Sequence, residues 1–144
     1  MNFPNKIVIG SDHAGVEYKT VIKQYLEKNK VEVIDVGTHS TDSCDYPDYA
    51  HAAAKEIENA TVDFGILICG SANGVAITAN KHQQIRAALC WQNEIAVLAR
   101  QHNNANMICL PARFVTIDEA QEMVHTFLTT DFEGGRHQKR VEKI

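Results

Sequence analysis

The sequence predicts a Rossmann-like α/β fold: one sheet of five parallel strands, with helices on both faces in three layers. Two observations carry this expectation. Short β-branched apolar runs alternate with stretches of helical spacing along the whole chain, as in a parallel sheet built with crossover helices. The strand runs are continuously apolar and their connections short, which suits strands buried on both faces. The chain has 144 residues, 44% hydrophobic and 22% charged, and lacks repeats or a linker. It therefore reads as a single domain over 1–144 with one real core, and disordered or collagen-like classes are excluded.

Residues 6–10 form the first expected strand, closed by a glycine. Over 15–29, Val16, Val21, Ile22, Tyr25 and Leu26 recur at helical spacing. Residues 31–36 read as a second strand and 37–47 as a polar loop. Asp48 is placed to cap a helix running to about Asn59, with Ala50, Ala53, Ala54 and Ile57 on one face. The third strand covers 64–69, a tight loop 70–74, and a helix continues to about His82. A strand at 85–91, a helix at 93–102, a strand at 105–110 and a helix at 117–128 complete the alternation. Residues 131–144 form a polar, charged C-terminal tail.

The net charge of −4 and the absence of a polybasic run exclude nucleic acid and anionic membranes as expected partners. A small anionic ligand stays compatible, because a few placed arginines can hold one phosphate. The N-terminal apolar run is too short for a secretory signal and no stretch reaches the length of a membrane span, so a cytoplasmic protein is expected. Cys44, Cys69, Cys90 and Cys109 form no CxxC pair and read as free thiols. His39, His51, His82 and His125 show no ligand spacing, and no metal or other cofactor is expected.

Open parallel sheets bind ligands at the carboxyl ends of their strands. After the first strand stand Asp12 and His13, which either handle protons and sugar hydroxyls or serve as a helix cap and a surface residue. After the third strand comes Cys69, followed by Gly70, Ser71, Ala72, Asn73 and Gly74. Backbone amides opening a helix favour negative charge. They are expected to lower the thiol pKa and to stabilise an oxyanion. Cys69 reads as functional, whereas Cys90 and Cys109, inside strands, read as buried core. His102 and Asn103 close a helix, where a helix-terminal cation and stop signal explain them as well as chemistry does. Arg136 and Arg140, four apart, share a helical face and can fork a phosphate, or belong to a solvated basic tail. Arg113 is a further phosphate candidate.

Five separated motifs resemble one family. VIGSDHAG at 8–15, DYPDYA at 45–50, LICGSANGVAITANK at 67–81, ARQHNNAN at 99–106 and FEGGRHQKRVEKI at 132–144 together resemble ribose-5-phosphate isomerase B, a family that includes the galactose-6-phosphate isomerase subunits. The resemblance implies an aldose–ketose isomerase acting on a sugar phosphate, ribose 5-phosphate first, without cofactor. It implies a homodimer or tetramer whose active site is shared, the segment with His102, Asn103 and Arg113 coming from the partner. It implies Cys69 as the proton-moving base and 70–74 as the anion hole. By the same resemblance His102 opens the ring, Asp12 lies by the ring oxygens, and His13, Arg113, Arg136 and Arg140 bind the phosphate. Tyr46 lies at the site edge. The family loop reads Cys-Gly-Thr-Gly. Ser71 keeps the hydroxyl, while Ala72 adds a methyl that costs about 1 kcal/mol or more if the position needs positive φ and that trims the pocket if it faces it. A hexose 6-phosphate isomerase for allose or galactose 6-phosphate, a non-catalytic sugar-phosphate module and a thiol-redox protein are the alternatives.

Overall fold

A computed structural model describes residues 2–144. The apolar runs become β1 (Lys6–Ser11), β2 (Glu32–Asp35), β3 (Gly65–Cys69), β4 (Ala87–Leu89) and β5 (Met107–Pro111). They form one wholly parallel sheet in the order β2-β1-β3-β5-β4. Between and after them run α1 (Val16–Lys28), α2 (Tyr46–Glu58), α3 (Asn73–Ala79), α4 (Asn93–Gln101), α5 (Ile117–Leu128) and α6 (Arg136–Val141).

Alternation along each strand feeds two cores. Ile7, Ile9, Ile66, Ile68, Ile108 and Leu110 pack with apolar residues of α1, α4 and α5. Val8, Leu67, Cys69, Met107 and Cys109 pack against the small residues of α2 and α3. Both faces are covered, which is why the strand sequences show no polar alternation. The fold class and five-strand count agree with the sequence reading.

The differences lie at the element ends. The edge strands β2 and β4 are shorter than their apolar runs, each having a partner on one side only. Helix α2 starts at Tyr46 with Asp45 as the preceding residue and Pro47 in its first turn, where the missing N–H of proline costs nothing. Asp48 therefore lies inside the first turn instead of capping it, and its charge faces the positive helix end. The polar tail contains α6, so Arg136 and Arg140 do stand on one helix. Among the described residues no helix is long and apolar enough to cross a membrane.

Ile66, fully buried, sits on the central strand between Ile9 and Ile108. Ile66→Ala is expected to cost roughly 2–5 kcal/mol of unfolding free energy in urea titration.

Candidate active site

The strand order reverses at β1 and β3, and their parallel pairing sets Ser11 level with Ile68. The residues that follow each strand therefore meet above the sheet. Asp12 divides its carboxylate between two tasks. Oδ1 accepts from the Ala14 amide at 2.9 Å and caps a short 3-10 turn over His13–Gly15, while Oδ2 accepts from the Cys69 thiol at 3.3 Å. The helix-cap reading of Asp12 thus holds, and the carboxylate is buried against the thiol instead of lying at the surface. Gly15 passes so close to Ile68 that an added Cβ would lie 2.8 Å from its carbonyl oxygen, which requires glycine there. Asp12 and Cys69 are nearly buried, at 6% and 8% exposure.

The Cys69 thiol titrates above its ordinary value, against the sequence expectation. Burial is the largest cause, and the charge and hydrogen bond of Asp12 add to it; the amides of Ala72 and Gly70 pull the other way and lose. The same amides open the loop over 70–74. Ala72 has φ 64 and ψ −1, the left-handed conformation that glycine adopts freely, so the strain expected of a methyl there is present. That methyl is wholly buried in the α2–α3 core and does not trim the pocket. Ser71 and Asn73 are exposed, the Ser71 hydroxyl accepting from the Asn73 side chain at 3.2 Å. The Tyr46 ring occupies the space where a Gly74 side chain would stand, which sets Tyr46 against the 70–74 loop.

Arg113 belongs to this same mouth. Its amide donates to Gly70 O at 3.0 Å, and its guanidinium carbon with Nε and Nη1 lies against Gly70. It is thus grouped with Cys69 of its own chain, not with His102 as the family resemblance implied. His13 stands near by, with its Nδ1 accepting from the Cys44 amide at 3.4 Å.

His102 and Asn103 are at the other end of the molecule. Helix α4 descends from the top of β4 and ends just before β5, and the register pairs Gly65 with Met107 and Cys69 with Pro111. Roughly 13 Å of strand rise separates the two ends. His102 stacks on His137 of α6, ring centroids 4.2 Å apart at 13°, and His137 Nε2 lies 3.5 Å from Glu133 Oε2. Burial and the positive charges of His102, Arg136 and Arg140 hold His137 below the usual imidazole value, outweighing Glu133. Arg136 and Arg140 are exposed on the same helix.

Sequence reasoning did not find the clamp that joins these pieces. Arg100, 4% exposed, donates to Ala105 O, to Asn104 Oδ1 and to Thr130 O, at 2.6, 3.0 and 3.0 Å. It ties the loop bearing His102 and Asn103 to the tail. Arg86 holds the loop from the other side through the carbonyls of Asn103 and Asn104. The sequence also predicted no metal site, yet His102, Glu133 and His137 bring ligand atoms within 4.8 Å of one another. Only the four-residue spacing of Glu133 and His137 signalled any part of this.

A model of the ribose/galactose isomerase family matches residues 7–144. Ribose-5-phosphate isomerase B of Escherichia coli K12 is 45% identical over 96% of this chain and 93% of its own. The crystal structure of a ribose 5-phosphate isomerase from Thermotoga maritima superposes with a TM-score of 0.94 at 49% identity, covering 96% of this chain and 95% of that one. Ribose-5-phosphate isomerase B of Mycoplasma genitalium with bound ribulose-5-phosphate superposes at 0.92 with 45% identity, covering 96% and 92%.

Removing the Asp12 charge should relieve one of the three causes that hold the Cys69 thiol up. In Asp12→Asn, in a Cys44→Ser background, the pH midpoint of Cys69 alkylation is expected to fall; an unchanged or higher midpoint would show that burial alone sets it.

Proposed function

The chain belongs to the ribose/galactose isomerase family, and on that premise we propose that it interconverts D-ribose 5-phosphate and D-ribulose 5-phosphate through an enediolate. The observation that carries this reading is the buried Cys69–Asp12 contact at the mouth of an amide-lined loop. Isomerisation needs one base shared by two adjacent carbons and stabilisation of two enediolate oxygens, and no redox step. Asp12 takes the thiol proton. The Cys69 thiolate then removes the proton from C2 and the resulting thiol returns it to C1, while the hydroxyl proton passes from the C2 oxygen to the C1 oxygen. A thiol raised by burial yields a stronger base than a depressed one, closer to the demands of a carbon acid. The amides of 70–74 and the Ser71 hydroxyl carry the developing negative charge.

The ring-opening group and two of the phosphate arginines are assigned to His102, Arg136 and Arg140, with Asn103 on a substrate hydroxyl. In one chain these lie at the far end of the strands from Cys69, so a homodimer with an active site shared across its two-fold axis supports the reading best. Arg113 and His13 then meet the phosphate from the Cys69 side. The protein works in the cytoplasm within the pentose phosphate pathway. Ala72 faces the core and no observation favours a hexose phosphate, so allose and galactose 6-phosphate serve as comparison substrates.

Turnover is expected to be highest on ribose 5-phosphate and to vanish in Cys69→Ala with sugar-phosphate binding retained. Near wild-type turnover in that variant removes Cys69 from the mechanism, and turnover only on a hexose phosphate changes the substrate. Arg136→Ala and Arg140→Ala are expected chiefly to raise KM.

A shared site also predicts complementation. Cys69→Ala and His102→Ala, inactive alone, should regain about a quarter of wild-type activity when dissociated and reassociated as an equal mixture, since half the dimers are hybrids with one intact site. No recovery, with hybrids demonstrated by mass, would place both residues in one chain's site.

A further inference from the structure

We propose that His102, Glu133 and His137 form a binding site for a divalent transition metal of the zinc class, which captures the imidazole assigned to ring opening. The three donors come from the end of α4, the tail and α6, and their ligand atoms already lie within 4.8 Å of one another. Zinc bonds of about 2.0–2.2 Å to nitrogen and carboxylate oxygen in tetrahedral geometry require donors up to about 1.5 Å closer. Glu133, with its side chain 49% exposed, and the half-buried His102 have room to make that change, while His137 is buried and fixed.

Two imidazoles and one carboxylate suit zinc, copper, nickel or cobalt, not magnesium or calcium, which take oxygen ligands. Three protein ligands leave a fourth position open for water or an anion. Two features weaken binding. The rings stack at 13°, so their lone pairs run side by side and His102 must swing out of the stack. Arg136 and Arg140 on α6 repel a dication. The affinity expected is therefore on the order of micromolar, not that of a structural zinc site. Binding stands on the donor set alone. Its consequence, inhibition of isomerisation by withdrawal of His102, rests on the function proposed above.

The test is a Zn²⁺ titration of the full chain in phosphate-free buffer against a chromophoric chelator, with circular dichroism to confirm folding of each variant. One equivalent per chain is expected. Glu133→Gln and His137→Ala should each weaken it at least about tenfold. Cys44→Ser, which removes the thiol 3.8 Å from His13 and with it the competing donor pair, should leave it unchanged. The site is overturned by absence of saturable wild-type binding, or by wild-type affinity in the exposed-site variant Glu133→Gln together with His137→Ala. Zinc-dependent loss of ribose 5-phosphate turnover, reversed by chelation and diminished in Glu133→Gln, supports both site and consequence. Zinc bound at these residues with turnover untouched supports the site and overturns the ring-opening assignment of His102.

Discussion

The parallel ladder between β1 and β3 is the constraint on which the rest depends. It sets Ser11 beside Ile68, so the two chain segments leaving the sheet carry Asp12 and Cys69 into hydrogen-bond contact across 57 positions of sequence. This is where the connection reverses direction in the sheet, the place where open α/β sheets leave a crevice. The two cores on either face fix the ladder. Gly15 is needed because the following turn must lie directly on Ile68.

Burial gives the Cys69 thiol its character. A thiol near helix-opening amides in water would be a stabilised thiolate and a nucleophile. Here the thiol is buried and a carboxylate adjoins it, so the proton is held more tightly. The same burial strengthens the polar contact between Asp12 and Cys69. The left-handed Ala72 shows how firmly the surroundings impose this loop, since a methyl-bearing residue keeps the conformation.

The second constraint is the length of the strands. Helix α4 carries His102 down past the whole strand length, and the buried Arg100 then locks the loop at its end to the tail that supplies Arg136, His137 and Arg140. One chain thus holds two polar clusters at opposite ends of the strands, one of Asp12, Cys69 and Arg113 around the 70–74 loop, the other rich in imidazole and guanidinium. The same packing gathers the side chains of His102, Glu133 and His137, with ligand atoms within 4.8 Å of one another.

The sequence by itself determined the fold class, the five strands and most element positions, because apolar periodicity and turn residues are local properties. It also marked Asp12, Cys69 and the loop 70–74, because strand ends are local too. The helix start at Tyr46 was missed through the weaker signal of Asp45 ahead of Pro47, and the edge strands shortened because pairing is a property of neighbours. Only the tertiary structure decided that Asp12 touches Cys69, that Arg113 sits on Gly70, and that the thiol is raised. These depend on burial and on contacts between distant segments. The same holds for Arg100 and for the gathering of His102, Glu133 and His137: no spacing along the chain encodes a clamp or a donor set whose members meet only after the sheet has fixed where each helix ends.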